Sequence, residues 1–299
     1  EIPKRDWSSD VCSSDLACRT GIFAYRPAPV QAVYLGYPGT MGSPFIDYLI
    51  ADPVVIPEGM EIHYSENILR LPGCYMASAM EKRPEKTWSR AQAGLPAHGF
   101  VFCAFNNNFK IMPEVFAIWV RLLKAIPGSV LWLQQDNEAA TANLMHEAGI
   151  RGIDPGRLIF APFVPAREDH LARLGLADLF LDTVPYNAHA TALDALAAGL
   201  PVLTVAGDTF AGRVAASLLT AAGLPELAAA SLQEYESLAL RLVQDPASLA
   251  PLREKLARER GKSALFNPAL LTRSLETAFA MMCARARAGE RPQSFPISP

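Results

Sequence analysis

This sequence predicts an α/β fold built on a parallel sheet, and three observations predict it. Short apolar runs rich in β-branched and aromatic residues recur at 100–104, 130–133, 158–160, 179–181 and 201–205. Stretches of helical length stand between or after them, at 113–125, 137–148, 168–174, 191–198 and 211–222. Hydrophobic residues make up 51% of the 299 and charged residues 19%, so there is enough apolar side chain to bury a full core. Short apolar strands alternating with helices form βαβ units, whose strands are parallel. The length corresponds to about two domains.

In chain order, the leader 1–18 repeats Ser-Ser-Asp at Ser8-Ser9-Asp10 and Ser13-Ser14-Asp15 and carries no structural period. It has none of the regions of a signal peptide. It reads as translated adapter sequence joined to a gene fragment, with the natural protein expected to extend upstream. Residues 19–95 read as the end of a first lobe and a connector, the connector itself spanning 76–98. The β-rich run 31–35 enters a glycine-rich turn from Gly36 to Gly42, and strand-like pieces follow at 48–50 and 54–56. Residues 96–299 hold the alternating strands and helices, then helices at 232–243, 249–258 and 268–288. No solenoid repeat is visible.

Composition excludes several functions. Lys+Arg 27 against Asp+Glu 30 gives a net charge of −3, which provides no basic field for a nucleic acid or an anionic membrane. Gly, Pro or a charge interrupts every apolar stretch short of the roughly 20 residues a membrane span needs. The five cysteines are odd in number and form no Cys-x-x-Cys pair, which suits a reducing cytoplasm better than a disulfide framework. Cys103, inside an apolar run, is expected to be a buried, inert thiol. No Asp-x-Asp occurs and no His/Cys/carboxylate cluster has ligand spacing, so no metal is expected.

Three segments are placed to carry chemistry. Ligands of open α/β sheets bind beyond the carboxyl ends of the strands, where helix N-termini present unpaired N–H groups. Residues 105–110 follow the 100–104 strand, with Asn107 in the turn and Lys110 where a phosphate could sit; a solvated loop with a surface lysine is the competing explanation. Residues 182–194 follow the 179–181 strand. A helix beginning near His189 would offer the N–H groups of Ala190 and Thr191 to a phosphate, with Asp194 one turn on, in reach of a ribose hydroxyl. The alternative there is that Thr191 caps the helix and His189 is an ordinary loop histidine. Gly36 to Gly42, with Pro38 inside it, permits close backbone approach or is a plain turn.

The residues also carry a resemblance. Ala28-Pro29-Val30-Gln31 followed by Tyr34-Leu35-Gly36-Tyr37-Pro38-Gly39-Thr40 resembles the O-linked N-acetylglucosamine transferase family. The likeness continues through Asp47-Tyr48, Tyr64-Ser65-Glu66, the 105–110 loop, Val130-Leu131-Trp132-Leu133 and Leu176-Ala177-Asp178. It runs on through Leu181-Asp182-Thr183, Arg213-Val214-Ala215-Ala216-Ser217 and Phe266-Asn267, so it covers roughly residues 19–288.

The resemblance implies a GT-B glycosyltransferase of which this chain holds mostly the C-terminal, Rossmann-like parallel-sheet lobe with the tail of the first lobe. It implies inverting transfer of N-acetylglucosamine from UDP-GlcNAc to a protein Ser/Thr, with the donor as substrate and no cofactor. Lys110 and His189 are implied as catalytic, Lys110 on the donor diphosphate. Gly36, Pro38, Asn107, His170, Arg173, Ala190, Thr191 and Asp194 are implied as donor-binding, with His170 and Arg173 on the uridine side and Asp194 on the ribose. Ala190 departs from the family's threonine but keeps the backbone N–H. A related transferase using a UDP-hexose or GDP-fucose and Asn or another acceptor, and a UDP-sugar-binding fragment without turnover, are the alternatives.

Overall fold

The computed structural model describes residues 20–78 and 87–298; the leader 1–18 and part of the connector lie outside the described residues. The strands, in chain order, are β1 (Ala32–Val33), β2 (Tyr48–Ala51), β3 (Asn67–Arg70), β4 (Val101–Ala104), β5 (Val130–Gln134), β6 (Leu158–Ala161), β7 (Leu179–Leu181), β8 (Val202–Val205), β9 (Ala228–Ala229) and β10 (Phe295–Pro296). The α-helices are α1 (Pro113–Ala125), α2 (Glu138–Ile150), α3 (Arg167–Leu174), α4 (Ala190–Ala198), α5 (Val214–Ala221), α6 (Leu232–Gln244), α7 (Leu249–Glu259) and α8 (Pro268–Arg287).

The chain forms two compact units. Among the described residues the first comprises 20–78, 209–211 and 264–298; the second comprises 87–208 and 212–263. This division differs from the expected one, which kept 96–299 together. The reason is local: β10 pairs in parallel with β3, Phe295 opposite Leu69, and Ser294 Oγ accepts the Ile68 N–H at 2.8 Å.

The first unit is a four-stranded parallel sheet in the order β1-β2-β3-β10. Polar residues of the resemblance hold its loops. Asp47 accepts the Gln31 N–H at 2.8 Å and pairs with Arg26 at 3.0 Å. Buried Glu66 takes the Thr40 hydroxyl and the Met41 N–H, both at 2.7 Å, and so shapes the end of the glycine-rich turn. The expected strand at 54–56 is absent: the Asp52 carboxylate accepts the Val54 and Val55 N–H groups at 2.8 and 3.0 Å, folding those β-branched residues into a turn.

The second unit is a six-stranded parallel sheet in the order β6-β5-β4-β7-β8-β9. Its β4 and β8 are buried along their whole length, as strands covered on both faces must be. Trp119, Trp132, Phe102, Phe180 and Tyr235 fill its core. Gly99, at φ +106°, lets β4 begin against the Gly128 carbonyl, which a Cβ there would meet at 2.2 Å. Asp178 accepts the Val101 N–H at 2.9 Å, joining the start of β4 to the turn before β7. Burial raises the Cys103 thiol well above its usual range, so it stays a protonated core residue. Among the described residues no helix is long and apolar enough to cross a membrane.

Candidate active site

The strand order of the second unit reverses between β4 and β7, whose successors β5 and β8 lead away in opposite directions. Such a switch point opens a crevice at the carboxyl ends of the two strands. Both loops singled out in the sequence leave from there: 105–110 from β4, 182–189 from β7.

In the first loop Phe105 packs edge-on to Trp132, ring centroids 4.8 Å apart, and turns the chain. Asn107 precedes a single 3₁₀ turn, Asn108–Lys110, and its carbonyl accepts the Lys110 N–H at 3.0 Å. That turn carries Lys110 inward: the residue is 5% exposed. Its Nζ donates to the Asn187 carbonyl at 3.2 Å and lies 4.0 Å from the Tyr186 ring centroid. A solvated surface lysine is thereby ruled out.

The second loop is held by buried polar groups. Asp182 Oδ1 accepts from Thr183 N at 2.7 Å, Ala188 N at 2.6 Å and Asn106 Nδ2 at 3.1 Å, and Oδ2 accepts the Thr204 hydroxyl at 2.6 Å. Burial raises this carboxyl to about 6, against the four hydrogen bonds that favour its charge. Tyr186 stacks on His189 with centroids 4.9 Å apart. His189, 8% exposed, is the residue from which α4 starts, and no side chain caps the helix. The first N–H groups of α4, including Ala190 and Thr191, therefore remain outside the intrahelical ladder and can receive an anion. Thr191 does not cap the helix; its hydroxyl donates to Asn106 Oδ1 at 2.8 Å.

The remaining candidates border the same loops. Asp194 is bound by Arg167, at the start of α3, at 2.8 Å. The His170 ring lies 5.9 Å from Phe105, and Arg173 Nη2 donates to its Nδ1 at 3.1 Å. Burial first, then Arg173 and Arg167, lower His170 to about 4, leaving a neutral imidazole at pH 7. Arg173 is 2% exposed; its Nη1 donates to the Pro162 carbonyl and its Nη2 to Gln134 Oε1 and His170, with its guanidinium 4.9 Å from the Phe105 ring centroid. Gly36 and Pro38 belong to the first unit, where Gly36 N donates to the Tyr34 carbonyl at 2.8 Å. In that turn the positive φ falls on Leu35, at +64°, and on Gly42, at +61°.

The structure thus ties Asn107, Lys110, His189, Ala190 and Thr191 together at one switch point, with His170 and Asp194 alongside. Sequence reasoning missed the groups that do the tying: Asn106, Asp182, Asn187 and Thr204. Their signal lies only in pairings between positions 76 to 85 or 22 residues apart.

Among the described residues no cluster of three or more His, Cys, Asp or Glu could hold a metal ion. What the arrangement offers is one buried ammonium and one uncapped helix start, a combination suited to negative charge on phosphate.

The family description "Glycosyl transferase family 41" matches residues 15–81 and 75–275. A curated relative from Arabidopsis thaliana, the probable UDP-N-acetylglucosamine–peptide N-acetylglucosaminyltransferase SEC, is 35% identical over 286 residues, covering 93% of this chain and 29% of its own length. The probable transferase SPINDLY of Petunia hybrida is 35% identical over 281 residues, covering 92% of this chain and 30% of its own. The chain therefore spans about three tenths of the length of these relatives.

Among solved structures, a mutant O-GlcNAc transferase from Thermobaculum terrenum superposes with a TM-score of 0.78 at 35% identity, over 88% of this chain and 50% of that one. Sucrose-phosphate synthase from Thermosynechococcus elongatus, at 17% identity and TM-score 0.54 over 80% of this chain and 59% of that one, shares the fold alone. The fold is of the GT-B glycosyltransferase type, and the chain belongs to glycosyl transferase family 41.

Proposed function

We propose that this chain carries the donor site of an inverting glycosyltransferase that moves N-acetylglucosamine from UDP-GlcNAc to a Ser/Thr hydroxyl of a protein. The observation that carries the proposal is the position of Lys110: its buried ammonium is held by the same loop that launches the uncapped helix α4. As the bond from the sugar to the diphosphate breaks, negative charge grows on the departing UDP. Lys110 and the N–H groups of Ala190 and Thr191 are fixed in place beforehand and stabilise that charge without reorganising. His189, stacked on Tyr186, fixes the point at which the helix begins. Asp194 holds the ribose and His170 the uracil side, with Asn107 beside the nucleotide.

The reading assigns charge neutralisation to the protein rather than to a cation. We also place its work in the cytoplasm, a reducing compartment in which buried thiols such as Cys103 persist. The deciding experiment is transfer of labelled sugar from UDP-GlcNAc to acceptor peptides by the complete natural protein in EDTA. Labelled peptide Ser/Thr supports the proposal. Binding of UDP without transfer would reduce the chain to a nucleotide-sugar-binding module, and transfer from GDP-fucose instead would reassign the donor.

A further inference from the structure

We propose that Asp182 is the positioning residue of the donor site, its carboxylate setting the turn through which Lys110 and the start of α4 address one diphosphate. The inference rests on the donor reading above. Asp182 is 1% exposed and forms no ion pair among the described residues. A buried carboxylate with no cation beside it is costly even when hydrogen-bonded, and an apolar residue at the end of a core strand would serve stability better. What the carboxylate does instead is gather donors. One oxygen takes the N–H of Thr183 and that of Ala188, five residues further on, which closes the loop into a ring ending one residue before His189.

The same oxygen takes Asn106 Nδ2, and the other side of that amide, Oδ1, takes the Thr191 hydroxyl in the first turn of α4. Asn187, adjoining Ala188, presents its carbonyl to Lys110 Nζ. Lys110 and Thr191, two of the groups assigned to the diphosphate, are therefore each one side chain or one peptide away from Asp182. The second oxygen is anchored from β8 by Thr204.

Asparagine is the informative replacement. In Asp182→Asn the remaining carbonyl oxygen keeps the three donors of Oδ1. The new NH₂ donates to Thr204 Oγ1, whose own proton turns to the Val205 carbonyl, already 3.5 Å away. Geometry survives while charge is lost. Asp182→Ala removes the geometry itself.

The test is calorimetric titration of the full chain with UDP and with UMP, comparing the ratio of the two dissociation constants. That ratio isolates the second phosphate, and a role in stability alone would leave it unchanged in folded protein. Asp182→Ala is expected to cut the preference for UDP by about tenfold or more, and Asp182→Asn to retain it within about threefold, one hydrogen bond's worth. Should Asp182→Ala fail to fold, Asn106→Ala breaks the side-chain half of the network and is expected to lower the ratio in the same direction. A folded Asp182→Ala or Asn106→Ala that prefers UDP as strongly as the wild type overturns the inference and leaves the donor reading standing. A folded wild-type chain that binds neither nucleotide overturns the donor reading, and this inference with it.

Discussion

Lys110 holds its ammonium against the Tyr186 ring and the Asn187 carbonyl, so its stem is part of the packing and its charge part of the site. Lys110→Met keeps the stem and deletes the charge. If the charge meets the leaving diphosphate, kcat should fall by about a hundredfold or more while UDP affinity falls less, because the charge it answers grows in the transition state. Lys110→Arg should rescue poorly, since a planar guanidinium does not fit where a compact ammonium is enclosed. Steady-state kinetics with UDP-GlcNAc checks both, and near-normal turnover by Lys110→Met would remove the residue from the chemistry.

Two other buried groups predict opposite responses to pH. Burial raises Asp182 from 3.8 to about 6, so between those values the folded state holds a proton that the unfolded state has lost. Its contribution is complete below pH 3.8 and disappears as pH rises through about 6. His170 is lowered from 6.5 to about 4, so there the unfolded state holds the extra proton. Its contribution is complete above pH 6.5 and disappears as pH falls through about 4. Each shift is worth on the order of 3 kcal/mol, so the two nearly cancel in the wild type. Asp182→Asn should make the protein lose more stability than wild type between pH 6.5 and 4, and His170→Gln should make it lose less. Urea melts across that window measure the difference, and parallel pH profiles for all three proteins would contradict it.

At the scale of elements, α1 and α6 are locked to the end of β7 by a buried chain: Trp119 Nε1 donates to Tyr235 Oη, which donates to the Asp182 carbonyl, both at 3.1 Å. Tyr235→Phe leaves a buried indole N–H and a buried carbonyl without their partner and should cost about 1–3 kcal/mol in a denaturant melt. A neutral result would mean that water replaces the hydroxyl.

Elements of this kind were legible in proportion to how local their signals are. α1 was read to the residue because Pro113 can only open a helix, and its apolar face runs on to Leu123 without interruption. β9 and β10, two residues each, have no length over which a period can show. Val54-Val55-Ile56 has strand composition, and only the Asp52 carboxylate beneath it makes it a turn. The site follows the same rule. Lys110 and the 189–194 segment are visible because they follow strands, whereas Asp182 reads like any loop aspartate until Asn106 and Thr204 are seen to converge on it.

At the scale of the molecule, α8 and β10 belong to the first unit and the donor cluster to the second. Ending the chain at Arg291 removes β10, the Ser294 contact to Ile68 N and the Ile297 N–H bond to the Arg70 carbonyl. Thermal stability should fall, by about 1–3 kcal/mol, while UDP affinity stays within about twofold. A large loss of UDP binding by folded truncated protein would show that the second unit does not carry the donor site alone.

The central claim is that a buried lysine and an uncapped helix at the β4/β7 switch point bind a uridine diphosphate without a metal. Calorimetric titration of the full chain with UDP and GDP in EDTA tests it most directly. The account predicts one UDP per chain, bound more tightly than GDP and unaffected by manganese. A folded chain that binds no UDP, or binds it only when manganese is added, contradicts it.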